Sequence, residues 1–173
     1  MGPRQAIREL DDERCIVRFE QHDHIKAATR DFISSKFQQN DRLIAATLTL
    51  KRSVNGVPLN DIEAREAFRV SIRMINQRVF RNAFHRKGLR VNVCPTLEGI
   101  GSNNLHFHCI FETPEKWSVE DFMQLVDNIW TQRIDFGAEE IVLKSEINEG
   151  WIDYITKYVG IEGEVEWDQF HWE

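Results

Sequence analysis

The chain has 173 residues and a mass of 20.4 kDa, which is the size of a single domain. Its 11 Phe and 5 Trp exclude a mainly disordered chain, because that much large apolar surface has to be buried. No apolar run approaches the roughly 18 residues that span a membrane, and the charged N-terminus is unlike a secretory signal. Three scattered cysteines form neither a disulfide framework nor a Cys-x-x-Cys pair, which favours a reducing, cytoplasmic location. The lack of a spanning run predicts that the chain has no membrane partner.

The net charge of −6 conceals an uneven distribution of charge along the chain. Residues 42–90 contain 11 Lys or Arg and 3 acids, a charge of +8 that leaves −14 for the remainder. Such a segment can present a positive surface to nucleic acid, and it can equally be a well-solvated helix face. Charge alone therefore leaves both interpretations open.

Hydrophobic periodicity predicts four strands and four helices. In chain order these are a helix over 24–38, a strand over 43–51, a helix over 61–86, strands over 89–98 and 105–112, a helix over 118–133, a strand over 139–147 and a helix over 150–159. Asn60 and Ser118 are suitable N-caps for the second and third helices.

From residue 43 the order of elements is βαββαβ followed by a helix, which predicts an α+β fold of the ferredoxin-like or RRM-like type. We expect an antiparallel sheet with helices on one face, the other face being available for a site. Residues 1–41 are predicted to be a charged N-terminal extension with a helix, residues 42–160 the main domain, and residues 161–173 an acidic, aromatic tail.

Two histidines lie two residues apart in the strand predicted over 105–112. Alternate residues of a strand face opposite sides, so His106 and His108 share one face while Phe107 and Cys109 point to the other. The preceding strand has Glu98 on the histidine face, and the six-residue loop between the strands brings Glu98 opposite His106. Two imidazoles and a carboxylate are a suitable ligand set for a divalent ion such as Mg²⁺ or Mn²⁺.

A His-x-His pair also occurs as two half-exposed histidines without a metal. The same spacing is found at His22 and His24, which lie in a charged stretch without strand alternation, and we expect both to face solvent. A zinc site that includes a cysteine is a further alternative, for which only Cys94 lies on the histidine face.

Both tyrosines of the chain lie in the helix predicted over 150–159. Tyr154 and Tyr158 are four residues apart and share a helix face, with Lys157 beside Tyr154. A phenol becomes a useful nucleophile when its proton is removed and a metal polarises its target, and a nearby ammonium favours the phenolate. The alternative is that the tyrosines pack this helix on the sheet, although Trp151, Ile155 and Val159 offer a separate apolar face.

Taken together, these motifs resemble those of the HUH endonucleases. LHFHCIF is similar to their His-hydrophobe-His motif, YITKY to their tyrosine motif, and LIAATLTLK to their first strand, rich in Thr and Leu. The three occur in the family's order and span residues 43–159. The arrangement is most similar to the rolling-circle replication initiators of phages and plasmids, some of which carry two tyrosines at this spacing. Relaxases, by contrast, have the tyrosine before the histidines.

The resemblance implies a metal-dependent single-strand DNA endonuclease and ligase, with residues 42–160 as its nuclease domain. Such an enzyme nicks an origin through a 5′-phosphotyrosine intermediate and so initiates rolling-circle replication. By this analogy His106, His108 and Glu98 bind Mg²⁺ or Mn²⁺, and Tyr154 is the nucleophile. Tyr158 is either the second nucleophile of a two-tyrosine cycle or a binding residue in a one-tyrosine one. Lys157 orients the phosphate or stabilises the charged intermediate. Single-stranded or hairpin DNA at a replication origin is the implied partner, with a host helicase and polymerase as further partners.

The DNA-binding residues are predicted to come from the basic segment: Arg65, Arg69 and Arg73 line one helix stripe, and Lys51 and Arg52 follow the first strand. One alternative function is a single-strand transposase of the HUH type. Another is a non-catalytic RRM-like nucleic-acid-binding domain with a bound metal, although Phe107 and Phe111 alternate away from the open sheet face that such modules use. A metal-dependent hydrolase that uses water would cleave without a protein–DNA link.

Overall fold

The computed structural model describes residues 24, 26–35, 40–102, 104–145, 147, 149–157 and 163–173. Helical residues 26–35 form α1, and the remaining elements follow in chain order: β1 (Leu43–Leu50), β2 (Ser53–Val54), β3 (Val57–Pro58), α2 (Asp61–Phe80), α3 (Asn82–Lys87), β4 (Val93–Glu98), β5 (His106–Glu112), α4 (Val119–Arg133), β6 (Gly137–Lys144), α5 (Glu149–Ile155) and β7 (Gly163–Val165). Within these described ranges, every helix is too short or too polar to cross a membrane.

Five strands form one sheet in the order β6-β1-β5-β4-β7, with every neighbouring pair antiparallel. The four strands of the βαββαβ unit thus pair in the order expected for the predicted α+β fold, which is confirmed. The fifth strand, β7, comes from the acidic tail and pairs with β4 at the edge of the sheet. A separate small hairpin, β2–β3, connects β1 to α2.

The main hydrophobic core lies between one face of the sheet and the helices α2 and α4. Phe107 on β5 is fully buried there and stacks on Phe68 of α2, with ring centroids 4.5 Å apart. Trp130 of α4 meets Phe107 edge-on and donates from Nε1 to the backbone oxygen of Thr49 at 2.9 Å. Burial of these large aromatic groups contributes to the hydrophobic stabilisation of the fold.

The opposite face of the sheet carries a second, smaller core. Its buried members are Ile33 of α1, Leu43, Cys94, Ile110 and Ile152 of α5. The sequence predicts this face to be open, whereas α1, α5 and the tail residues Phe170 and Trp172 pack over the part around Ile110. The histidines lie on this same face, nearer to the end of the sheet at which the loop 99–104 turns.

Helix starts follow the sequence prediction, and some helix and strand ends do not. Asn60 forms a capping box with Glu63, and the Ser118 hydroxyl accepts from the backbone N–H of Asp121 at 3.0 Å. The helix predicted over 61–86 is two helices, because Arg81 adopts φ 50° and ψ −125° and interrupts the helical hydrogen bonds. The strand predicted from residue 89 begins at Val93, since the buried Asn76 side chain first accepts the backbone N–H of Val91.

Candidate metal centre and tyrosine helix

The β4–β5 hairpin brings Glu98, His106 and His108 together, as the sequence predicts. Glu98 pairs opposite His106, and Thr96 pairs opposite His108. Because alternate residues of a strand share a face, all three side chains lie on the face opposite the main core. Glu98 and His108 are buried, whereas the side chain of His106 is 20% exposed. The group is therefore reached from solvent on the side of His106.

The three side chains converge through one atom each. The Nε2 atoms of His106 and His108 are 3.1 Å apart, and Oε2 of Glu98 lies 3.5 Å from the first and 3.4 Å from the second. Around a divalent ion with bonds of about 2.1 Å, neighbouring ligand atoms lie about 3.0 Å apart in an octahedral site and about 3.4 Å apart in a tetrahedral one. The observed triangle fits either geometry, so this group could hold a metal ion.

Hydrogen bonds on the outer side of each imidazole orient the rings. Nδ1 of His106 donates to the backbone oxygen of Asn104 at 2.9 Å. A carbonyl oxygen only accepts, so the neutral ring carries its proton on Nδ1 and directs the lone pair of Nε2 towards the centre. Nδ1 of His108 lies 3.0 Å from Oγ1 of Thr47, which accepts its proton in the equivalent tautomer. Three lone-pair donors then face one point, where a cation is favourable.

Ionisation within the group is strongly coupled. Burial opposes the charge on Glu98, but hydrogen bonds and charge from His106 and His108 in their protonated forms outweigh it and hold the pKa of Glu98 at about 2. The hydrogen bond to Glu98 in turn raises the pKa of His106, against the effect of its burial. Oε1 of Glu98 is also buried and has no hydrogen-bond partner among the described residues. An ionised carboxylate with a second unpaired oxygen suits direct binding to a cation.

The cysteine alternative receives no support from the positions of Cys94 and Cys109. Cys94 lies opposite Ile110, two residue pairs away from His108, and its complete burial raises the pKa of the thiol to about 12. Cys109 belongs to the main core on the other face of the sheet. Neither sulfur belongs to the group of side chains that converge on one point, which consists of Glu98, His106 and His108.

The ring of Tyr154 lies directly beside the histidine pair. Its centroid is 4.9 Å from that of His108, in an edge-to-face arrangement with an interplanar angle of 72°. Trp151 stacks on Tyr154 with centroids 5.2 Å apart and meets His108 edge-on at 6.1 Å. Tyr154 is 47% exposed, so it borders the candidate metal centre and is accessible to a large ligand.

The helix α5 that carries Tyr154 is anchored by residues on its other sides. Ile152 is buried in the second core with Cys94 and Ile110. Asp153 forms an ion pair with Arg30, which links α5 to α1. The sequence predicts that Trp151, Ile155 and Val159 form the packing face. Trp151 does pack against the second core, where it also meets His108 edge-on, and the buried residue of the helix is Ile152. The side chain of Ile155 and all of Val159 lie outside the described residues.

The remaining predicted residues of the tyrosine motif are only partly described. The predicted helix extends to residue 159, whereas α5 ends at Ile155 and residues 156–157 form a turn. Lys157 is exposed in this turn, and its backbone N–H donates to the backbone oxygen of Tyr154 at 3.2 Å. Tyr158 lies outside the described residues, so its part in the site stays a prediction. His24 is exposed as predicted, and His22 lies outside the described residues as well.

Two arginines of the predicted DNA-binding stripe already bind carboxylates. Arg65 bonds to Asp61, Glu164 and Glu166, and Arg69 bonds to both carboxylate oxygens of Glu66. The bonds from Arg65 to Glu164 and Glu166 connect α2 to the edge strand β7 and the residues that follow it. The other pairs lie within α2. The stripe also lies on the helix layer, across the sheet from the histidines. A role of Arg65, Arg69 and the exposed Arg73 in DNA binding therefore stays a prediction. These arginines do not lie beside the candidate metal centre.

Lys51 and Arg52 lie nearer to the candidate metal centre. They follow β1, in which Thr49 pairs with His106, so they lie at the histidine end of the sheet. Both side chains are exposed, and Nζ of Lys51 donates to the backbone oxygen of Asp135 at 3.1 Å. The small hairpin β2–β3 continues from them at the same end.

No family model, curated protein or solved structure matches this chain. The likeness to HUH endonucleases accordingly depends on the motifs and on the arrangement of their residues described above.

Sequence reasoning missed two residues of the site, Thr47 and Trp151. The threonine-rich strand LIAATLTLK gave a weak signal for the first, since Thr47 alternates to the same face of β1 as Thr49. Nothing in the sequence indicated that Thr47 would pair with His108, because the two residues are 61 positions apart. The sequence predicts only that Trp151 packs the helix. The three-residue spacing between Trp151 and Tyr154 is the only signal that their rings stack on each other.

Proposed function

We propose that this protein is a metal-dependent single-strand DNA endonuclease and ligase of the HUH type, which nicks an origin to initiate rolling-circle replication. Support comes above all from the contact between Tyr154 and His108. The Tyr154 ring lies 4.9 Å, between centroids, from that of His108, one of three converging side chains that could hold a metal ion. A phenol beside such a group suits attack on a phosphate that a bound metal would polarise.

Each residue has a distinct part in the proposed reaction. Glu98, His106 and His108 hold Mg²⁺ or Mn²⁺, which when bound polarises the scissile phosphate and offsets its charge. The Tyr154 oxygen loses its proton and forms a bond to phosphorus, while the bond from phosphorus to the 3′ oxygen breaks. The departing 3′ oxygen takes up a proton and becomes a free 3′-OH. The product is a 5′-phosphotyrosine link, which a later 3′-OH can attack to reseal the strand.

Several features of the site suit a large substrate. Tyr154 and His106 are partly exposed at the rim of the group, whereas His108 and Glu98 are buried beneath them. Trp151 stacks on the ring of Tyr154 and restricts its rotation, so the tyrosine side chain loses less conformational entropy when the phosphate binds. Lys157 follows two residues after α5 and contributes a positive charge near the phosphate. Tyr158 is the second nucleophile in a two-tyrosine cycle.

The decisive experiment is a search for a covalent protein–DNA adduct. Purified protein with Mn²⁺ is incubated with labelled single-stranded oligonucleotides that tile the DNA around its gene, and the products are separated on a denaturing gel. We expect a band of slower mobility that is sensitive to protease and is lost in Tyr154→Phe. This variant keeps the ring that contacts His108 and removes only the hydroxyl.

The other outcomes discriminate between the alternatives. Loss of the band in Tyr158→Phe alone would keep the enzyme class and reverse the assignment of the nucleophile. Cleavage without a covalent band in any variant would favour a water-using metal hydrolase. Binding without cleavage across the whole tiled set would favour a non-catalytic nucleic-acid-binding domain. Cleavage at the ends of a mobile element would indicate a transposase and not a replication initiator.

A further inference from the structure

A second positive surface lies at the end of the domain remote from the candidate metal centre. Residues 67–97 contain seven Lys or Arg and no acid, although the chain as a whole has a net charge of −6. Five of these cations are clustered at the end of α2, on α3 and in the connection to β4. We call this group the distal basic patch: Arg78, Arg81, Arg86, Lys87 and Arg90.

The side chains of the distal basic patch form no ion pair within the described part of the chain, a property that they share with the exposed Arg52, Arg73 and Arg133. Arg30, Arg65 and Arg69 form ion pairs, and Arg42 donates to the backbone oxygens of Thr113, Pro114 and Trp117. All five patch residues are exposed, and none forms an ion pair within the described part of the chain. Arg90 and Glu173 act in opposite directions on the pKa of His171, which Arg90 lowers and Glu173 raises. The fold therefore neutralises some of its cations internally and leaves these five facing solvent.

The backbone under the patch has one strained residue and one buried hydrogen bond from a side chain. Arg81 adopts φ 50° and ψ −125°, a conformation that glycine occupies readily and that costs other residues about 1–3 kcal/mol. The connection to β4 is held by the buried Asn76 side chain, whose oxygen accepts the Val91 N–H at 2.7 Å. Because strained backbone conformations cluster at functional sites, Arg81 is a candidate contact residue of the patch.

Helix dipoles explain only part of this charge. The C-terminal ends of α2 and α3 each carry about half a negative charge, which one cation per helix end would offset. The patch has five cations over residues 78–90, more than two helix ends need. Their surplus positive charge matches a polyanion with regularly spaced charges.

We infer that the distal basic patch binds the phosphate backbone of nucleic acid, separately from the metal centre. The patch precedes Val93 at one end of β4, whereas Glu98 lies at the other end, about 17 Å away for five residues of strand. That distance corresponds to about five base pairs of duplex. The patch would therefore hold a part of the nucleic acid several nucleotides away from the part that reaches the metal centre.

The test measures binding by fluorescence anisotropy with EDTA present, so the result does not depend on any nicking activity. The probes are a labelled 30-nucleotide mixed-sequence single strand and a 20-base-pair duplex. We compare the patch variant R86Q/K87Q with the control variant K116Q/R133Q, which also removes one Arg and one Lys, both exposed and outside the patch. We expect the patch variant to weaken binding about tenfold at 0.1 M salt and the control variant less than twofold. The slope of log affinity against log salt should fall by about 1.4–1.8 in the patch variant alone.

A second variant separates binding from folding. Replacing Arg81 by glycine relieves the backbone strain, so R81G should unfold at the same or a higher temperature while binding at least threefold more weakly. Equal losses in R86Q/K87Q and K116Q/R133Q, or unchanged binding in both R86Q/K87Q and R81G, would overturn the inference. Polyglutamate that competes as well as DNA at equal charge would overturn nucleic acid as the partner and indicate an acidic protein. Preference for the duplex or the single-stranded probe identifies the form of nucleic acid that the patch holds.

Discussion

Oγ1 of Thr47 lies 3.0 Å from Nδ1 of His108, a contact that connects the candidate metal centre to the central strand β1. In other metal sites, such outer partners fix the tautomer and orientation of a histidine ligand, and their loss lowers affinity about 10–100-fold. Because His108 is buried, no water can easily replace the hydroxyl. Thr47 is thus the residue through which the site can be tested without altering any ligand.

We predict that Thr47→Val weakens Mn²⁺ binding about 10–100-fold, because valine has the same shape but cannot accept from Nδ1. Isothermal titration calorimetry measures the change. The matched control is Thr49→Val, two residues further along the same face of β1, where we expect less than a threefold change. Equal effects at the two positions would mean that the Thr47 contact does not orient His108.

The ionisation of Glu98 and His106 predicts two opposite trends with pH. As pH rises, the contribution of His106 to the stability of the metal-free protein should fall, and the stabilisation that a bound metal provides should rise. The raised pKa of His106 stabilises the folded state fully below its ordinary value of 6.5, and this contribution is lost as pH rises through the folded-state pKa. The pKa of Glu98, about 2 against an ordinary 4.5, gives a contribution that is lost only as pH falls below 4.5. Of these two contributions, only that of His106 changes between pH 6 and 8.5.

Urea unfolding at pH 6, 7 and 8.5 measures both trends. With EDTA, we expect the free energy of unfolding of the native sequence to fall with pH relative to that of His106→Gln. This variant is the reference because burial lowers the pKa of His171, which acts in the opposite sense. The stabilisation that saturating Mn²⁺ provides should rise over the same range, because protons compete with the metal for the imidazoles. A metal effect that falls with pH would exclude the histidines as ligands.

The loop between β4 and β5 predicts a difference between two glycines. Gly99 and Gly101 both have positive φ, at 82° and 84°, so alanine is strained at either position. A Cβ on Gly99 would also lie 2.4 Å from the backbone oxygen of Asn104, whereas a Cβ on Gly101 would meet no atom within 4 Å. That Asn104 oxygen is the acceptor for Nδ1 of His106.

We therefore expect Gly99→Ala to weaken Mn²⁺ binding at least tenfold and Gly101→Ala less than threefold. Both variants should lose roughly 1 kcal/mol of stability from backbone strain, and Gly99→Ala more. Calorimetry and urea unfolding measure the two quantities. If Gly99→Ala binds Mn²⁺ as tightly as Gly101→Ala, the Asn104 hydrogen bond does not position His106.

The packing of α5 predicts an effect on adduct formation at a distance from the reacting groups. Ile152→Ala removes the buried side chain that anchors α5, whereas Ile72→Ala makes the same truncation in the main core. Each should cost about 2–5 kcal/mol of stability. At a temperature where both variants are folded, we expect Ile152→Ala to form the covalent adduct at least fivefold more slowly and Ile72→Ala at the native rate. Equal rates would mean that Tyr154 is positioned without the α5 anchor.

Much of the candidate metal centre follows from local properties of the chain. Strand alternation was enough to predict that His106 and His108 share a face, and the short loop was enough to bring Glu98 opposite His106. Helix starts were equally predictable, because Asn60 and Ser118 bond to N–H groups only three residues away. In each case the interacting groups are close in sequence, so few chain conformations compete with the observed one.

Long-range packing set the rest. Tyr154 lies 46 positions from His108 in sequence, and their contact depends on how Ile152 and Asp153 attach α5 to the sheet and to α1. The charges of Arg65 and Arg69 looked available for DNA, yet they are paired with carboxylates, of which Glu164 and Glu166 come from the far end of the chain. Side-chain spacing within one strand or helix states which groups share a surface. Which surfaces meet is decided by burial and ion pairing between distant segments, and the sequence pattern contains no direct record of those contacts.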